Sequence, residues 1–441
     1  MPSSIRRPDE AVTGLIEVPR LDVIANPLRG ESPPAPFSRG LPSQFHQRLP
    51  GYQETPLIDL PALAATLGVA RVLVKDESSR LGLPAFKMLG ASWASYRALE
   101  ELLIRRTGTE IESFQSVEQL GALLEPLHRL DLATATDGNH GRAVARFAKL
   151  VGLGARIFVP AGTADARIQG IESEGATCTV VDGTYENAVV RAAQEAAEDC
   201  LVISDTSWPG YDTVPVWVIE GYSTIFHEVF HQGRDAGFPD PTVVVVPIGV
   251  GAFAASVVAH FRGAHPPDLT ETGHGSSRIP GAEMPDSGRG RPILIGVEPD
   301  TANCVMASAA AGQLTEVPGP HPSIMAGLNC GEASPVAWPW VSAGFDWFTA
   351  GGDDLAITGM RLLADQGVVA GESGAATVGA LAALHAGAGR DAGLMLSPDD
   401  VVLVLSTEGA TDPAFYRATV GRSAADVADA GHGRPDQAPP H

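Results

Sequence analysis

Lys87 stands in the run Pro84-Ala85-Phe86-Lys87-Met88-Leu89-Gly90, which places one amine between two apolar side chains at the mouth of a helical stretch. Apolar neighbours desolvate a lysine and lower its pKa, and the neutral amine is the form that makes a Schiff base with a carbonyl. The bland alternative is a surface lysine whose stem lies on apolar neighbours while its charge stays in water. Other segments bear on the choice. Thr134-Ala135-Thr136-Asp137-Gly138-Asn139-His140-Gly141 sets a carboxylate and a neutral amide in a two-glycine turn after an apolar run. Such a turn lets backbone approach a planar ligand, and Asn139 suits a phenolic oxygen. Taken alone, it is equally a tight turn with a helix cap from Asp137.

Ile248-Gly249-Val250-Gly251-Ala252 follows an apolar run and opens an apolar helix, so its N–H groups can meet a phosphate. A dinucleotide site stays open to any glycine loop. The G-x-G-x-x-G spacing is absent, however, which argues against a dehydrogenase. Ser406-Thr407-Glu408-Gly409 ends the last apolar run, Val401–Leu405. A hydroxyl there, from Ser406 or Thr407, can meet a pyridine nitrogen and leave it largely unprotonated, which favours β-elimination over transamination. Together these are the parts that pyridoxal 5'-phosphate requires.

The elements that must position them alternate from Leu57 onward. Strand runs at Val69–Val74, Leu132–Thr136, Arg156–Val159, Thr177–Val181, Leu201–Ser204, Thr242–Pro247, Ile293–Val297 and Val401–Ser406 are separated by helical stretches. Short strand–helix connections of this kind indicate an α/β fold with mainly parallel sheets. The expected organisation is an N-terminal arm (1–34), a large cofactor-binding domain (35–89 and 211–420) and a smaller α/β domain (90–210). Residues 263–291, rich in Gly, Pro and Ser, read as a mobile insertion, and 421–441 as a disordered tail.

With 441 residues, 44% of them hydrophobic, the chain has no apolar run near the roughly 18–20 residues of a membrane span. Arg6, Arg7, Asp9, Glu10 and Glu17 leave the first segment without the apolar centre of a secretory signal, so a cytoplasmic protein is expected. A net charge of −22 argues against nucleic acid and anionic membranes as partners. Cys178, Cys200, Cys304 and Cys330 have no metal-ligand spacing and are expected as free thiols, although a Cys304–Cys330 bridge is conceivable. The twelve histidines show no metal spacing either, and no metal is assigned.

In their order along the chain these motifs resemble the fold-type II pyridoxal-phosphate enzymes, whose two domains are doubly wound. Within them the wording is most similar to the diaminopropionate ammonia-lyases. The resemblance rests on Lys75-Asp76-Glu77-Ser78 with Ala85-Phe86-Lys87, and on Thr136-Asp137-Gly138-Asn139-His140-Gly141-Arg142. Met325-Ala326-Gly327-Leu328, Gly371-Glu372-Ser373-Gly374-Ala375 and Ser406 to Asp412 extend it, so that it runs from about residue 35 to 420. It implies a homodimer that eliminates ammonia from 2,3-diaminopropionate, with a small amino acid as its only partner. Lys87 then carries the cofactor, Gly249, Val250, Gly251 and Ala252 hold its phosphate, Asn139 its ring, and Ser406 or Thr407 its nitrogen. Ordinary dehydratases of the fold have Ser or Thr where Asp137 stands. A carboxylate there attracts a substrate whose β-group is an ammonium, and it can take the α-proton. Asp205, in Ser204-Asp205-Thr206, resembles a second acid of the family, the pair serving the two enantiomers from opposite faces. A serine or threonine dehydratase and an amino-acid racemase are the neighbouring activities, and a catalytically silent binding protein the remote one.

Overall fold

The computed structural model describes residues 19–34, 40–111, 113–263 and 291–432. Eleven strands lie among them: β1 (Leu21–Ala25), β2 (Leu57–Asp59), β3 (Arg71–Asp76), β4 (Asp131–Ala135), β5 (Gly154–Pro160), β6 (Thr177–Val181), β7 (Cys200–Val202), β8 (Val243–Pro247), β9 (Ile293–Pro299), β10 (Trp347–Gly351) and β11 (Val401–Ser406). They form a seven-stranded sheet, β1-β10-β9-β8-β11-β3-β2, and a four-stranded sheet, β6-β5-β4-β7. The small sheet is wholly parallel. The large sheet is parallel except for its two edge strands, β1 and β2. The α/β class with parallel sheets is as expected.

Strand β8 shows why the large sheet needs no polar face. Val244 and Val246 enter one core cluster with Leu73, Leu403 and Leu405. Val243 and Val245 enter another with Val72, Val74, Val402 and Val404. With period-two alternation, a central strand covered on both sides must be apolar throughout.

Two expectations change. Leu21–Ala25, inside the segment read as an arm, is an edge strand paired with β10. It is secured by Asn26, whose Nδ2 donates to the carbonyls of Ser342 and Phe345 at 2.7 Å each. Ala424–His432, inside the segment read as a tail, is a helix, because Val427 is buried in the core. The end of β3 and the residues just beyond it carry a buried ionic network. Lys75 and Arg80 both bind Glu228, and Arg80 binds Glu77, at 2.6–2.7 Å. Most of the expected insertion, residues 264–290, lies outside the described residues, as does 433–441.

Candidate active site

In parallel sheets ligands bind beyond the carboxyl ends of the strands, and here both sheets turn those ends to one cleft. From the large sheet, neighbouring strands β3, β11 and β8 lead to Lys87, to Ser406 and Thr407, and to the Gly249–Ala252 loop. From the small sheet, neighbours β4 and β7 lead to Asp137 and Asp205. Lys87, Asp137, Asn139, Asp205, Gly249, Val250, Gly251, Ala252 and Thr407 line a single cavity.

Lys87 Nζ donates to Asp205 Oδ2 at 2.8 Å, and the lysine side chain is 17% exposed. Its state differs from the expectation of a neutral amine. Burial does work against the charge, but the Asp205 carboxylate, Tyr222 and Asp137 together outweigh it and hold the ammonium's pKa above the usual range. Asp205 is correspondingly acidic. Burial opposes its charge, yet the Lys87 ammonium and the Tyr185 hydroxyl hold it below the ordinary carboxyl range. The Tyr185 hydroxyl donates to Asp205 Oδ1 at 3.1 Å. His140 Nε2 meets the Ile203 carbonyl at 2.8 Å, so that nitrogen carries the proton; Nδ1, 4.0 Å from Asp205 Oδ2, is left as an unpaired acceptor.

Asp137 does not cap the following helix, Asn139–Leu150, whose first position shows no side-chain cap. The Thr136 hydroxyl accepts the Gly138 N–H instead, at 2.9 Å. Asp137 Oδ2 is therefore without a hydrogen-bond partner, and its side chain is 22% exposed. Burial pushes this carboxyl's pKa up, against the pull of Arg167 and Lys87.

Asn139 Nδ2 donates to Glu408 Oε2 at 2.6 Å, and Glu408 Oε1 accepts the Ser373 N–H at 3.1 Å. Glu408 thus fixes the direction of the Asn139 amide. Gly249 faces the Ala326–Leu328 turn so closely that a Cβ would lie 2.8 Å from the Gly327 carbonyl oxygen. Ala252, where a further glycine is common in the resembled family, is the first residue of the helix Ala252–Arg262 and needs no left-handed conformation. Ser406 is fully buried, with its Oγ unpaired, whereas Thr407 reaches the cavity wall. Tyr185, Arg167 and Glu408 were not singled out from the sequence. Glu408 lay within a quoted motif, but Tyr185 and Arg167 sit on helices that connect strands of the small sheet, with no motif around them.

The lysine, the glycine loop, the amide and the buried hydroxyl define a class, and the comparison with known families agrees. The chain belongs to the pyridoxal-phosphate dependent enzyme family, whose profile matches residues 48–407. Within that family it is similar to the diaminopropionate ammonia-lyase of Escherichia coli (strain K12), being 37% identical over 414 residues that cover 91% of this chain and 96% of that protein. It is 36% identical to the Salmonella typhimurium diaminopropionate ammonia-lyase over 397 residues, covering 86% and 91%. The crystal structure of the Escherichia coli enzyme in complex with an aminoacrylate-PLP azomethine reaction intermediate superposes with a TM-score of 0.75, at 35% identity, over 91% of this chain and 97% of that one.

Proposed function

We propose that this chain is a pyridoxal-phosphate dependent lyase that converts 2,3-diaminopropionate and water to pyruvate and two molecules of ammonia. The residues present fit the cofactor. Ser406 Oγ is a buried hydroxyl with no protein partner, suited to a ring nitrogen. Asn139 has one amide hydrogen committed to Glu408 and a second free for the phenolic oxygen. The Gly249–Ala252 loop sits at a helix N-terminus, where unpaired N–H groups favour a phosphate. Lys87 is the amine that would hold the aldehyde carbon. When bound, pyridoxal phosphate supplies an electron sink for the charge left as the α-proton departs.

The chain's own groups then account for the proton traffic. Asp205, in contact with Lys87 Nζ, stands at one face of the site and takes the α-proton of the substrate from that face. Asp137, in the cavity wall, serves the other face and attracts the β-ammonium before it leaves as ammonia. The unpaired oxygen of Asp137 is the observation that carries the choice of substrate, because a diamine brings a cation that serine and threonine lack. We place the lyase in the cytoplasm, as the charged first segment suggests, and as a homodimer, as its family resemblance implies. The same resemblance, with all four strands of the small sheet falling between residues 131 and 202, supports the division into domains 90–210 and 35–89 with 211–420.

Product stoichiometry tests this reading. Elimination from 2,3-diaminopropionate releases two ammonia for each pyruvate, whereas serine releases one. Equal ammonia and pyruvate from every substrate accepted would contradict it.

A further inference from the structure

Arg167 lies at the rim of the cleft, 8% exposed, on the helix Asp165–Glu172 that follows β5. Its Nη1 stands 3.7 Å from Asp137 Oδ2 and donates to the Asp137 carbonyl at 3.4 Å. Its Nη2 donates to Thr411 Oγ1 at 3.2 Å and lies 3.9 Å from Glu372 Oε2. One guanidinium therefore spans from the small sheet's turn to two segments beside the large sheet. Gly138 makes the approach possible: its φ is 142°, and a Cβ there would come within 3.2 Å of the Arg167 stem.

We propose that Arg167 is a positioning residue that holds Asp137 in place and in its charged form. This rests on the reading of Asp137 as a base. Asp137 faces Lys87, Arg167, Glu408 and Asp205. Arg167 in turn faces Glu408, Asp137, Glu372 and Asp412. Acids outnumber cations in this cluster, and Lys87 is already engaged by Asp205 at 2.8 Å. Arg167 is thus the cation that works against the burial of Asp137, although burial still leaves that carboxyl above its ordinary range. The contact with Asp137 Oδ2 is longer than a hydrogen bond, so the arginine attracts the carboxylate without occupying the oxygen that must accept a proton. An opposite charge at such a distance lowers a carboxyl's pKa by about 1–3 pH units.

The test uses the pyridoxal-phosphate-loaded enzyme and pH profiles of kcat/KM for D- and L-2,3-diaminopropionate, with Asp137→Asn as reference. For the enantiomer that Asp137→Asn loses, Arg167→Gln should move the acidic limb upward by about one pH unit or more. The rate on the acid side then falls roughly tenfold or more and recovers at high pH. The other enantiomer's limb should not move, and Arg167→Lys should restore the first. Arg167→Met, which keeps an aliphatic stem against Gly138, takes the place of the glutamine variant if that one does not fold. Uniform loss at every pH for both enantiomers would make Arg167 a structural tie and overturn the proposal. If Asp137→Asn spares both enantiomers, the base assignment itself has failed, and the proposal falls with it.

Discussion

Lys87 and Asp205 meet at 2.8 Å although they lie 118 residues apart and follow strands of different sheets. The ion pair joins the two halves of the cleft at the position where the chemistry is proposed. It also sets the charge of both partners, since each stabilises the ionised form of the other.

Removing the carboxylate should reverse the balance at the lysine. In Asp205→Asn, burial of Lys87 is no longer offset, and the pKa of its amine should fall. The pH dependence of lysine acylation in cofactor-free protein measures this, and the half-reaction point should move down relative to the parent. Steady-state pyruvate release should drop by about 10²–10⁴-fold for the enantiomer that depends on Asp205.

Ser406 and Thr407 can be separated. Because Ser406 Oγ has no protein partner, Ser406→Ala should leave the melting temperature of the cofactor-free chain unchanged. Its affinity for pyridoxal phosphate should weaken roughly tenfold, the loss of about one hydrogen bond. Fluorescence titration with the cofactor reads the effect. A larger loss in Thr407→Ala than in Ser406→Ala would transfer the role to Thr407.

A methyl group at position 249 should disturb the phosphate loop from outside. Gly249→Ala brings a Cβ into the Gly327 carbonyl, so either the loop or the Ala326–Leu328 turn must shift. Weaker pyridoxal-phosphate binding with intact secondary structure, seen by titration and circular dichroism, is the expected result.

The buried network below the site gives a stability prediction. Glu228 is held at about 2, below the ordinary carboxyl value of 4.5: burial raises its pKa, but Arg80 and Lys75 outweigh burial. Because the folded-state pKa is depressed, its contribution is present above about pH 4.5 and lost as pH falls towards 2. Glu228→Gln leaves Lys75 and Arg80 buried with one carboxylate fewer and should cost about 3–5 kcal/mol. Urea unfolding of the cofactor-free protein across this pH range checks both the size and the flattening of the acid limb.

Much of this was legible in the sequence because the chemistry clusters at strand ends. Long, uniformly apolar runs such as Val243–Pro247 and Val401–Ser406 announce central strands, and the residues just beyond them carry the site. What escaped was decided by partners distant in the chain. Lys75, Glu77 and Arg80 look like a solvated turn until Glu228 arrives from the helix Ser223–Asp235 to neutralise them. Five residues at Leu21–Ala25 are too few to show alternation, and only pairing with β10 makes them a strand. The helix cap proposed for Asp137 was displaced by the neighbouring Thr136 hydroxyl, an outcome set by local turn geometry. Likewise, apolar flanks suggest a neutral Lys87, whereas a carboxylate from another sheet keeps it charged.

Pyruvate release by the pyridoxal-phosphate-loaded protein, from D- and L-2,3-diaminopropionate alongside serine and threonine, is the most direct test of the central claim. The account predicts preferential turnover of diaminopropionate that disappears in Lys87→Ala and declines for one enantiomer in Asp137→Asn. Turnover confined to serine or threonine would contradict it and place the chain among the dehydratases.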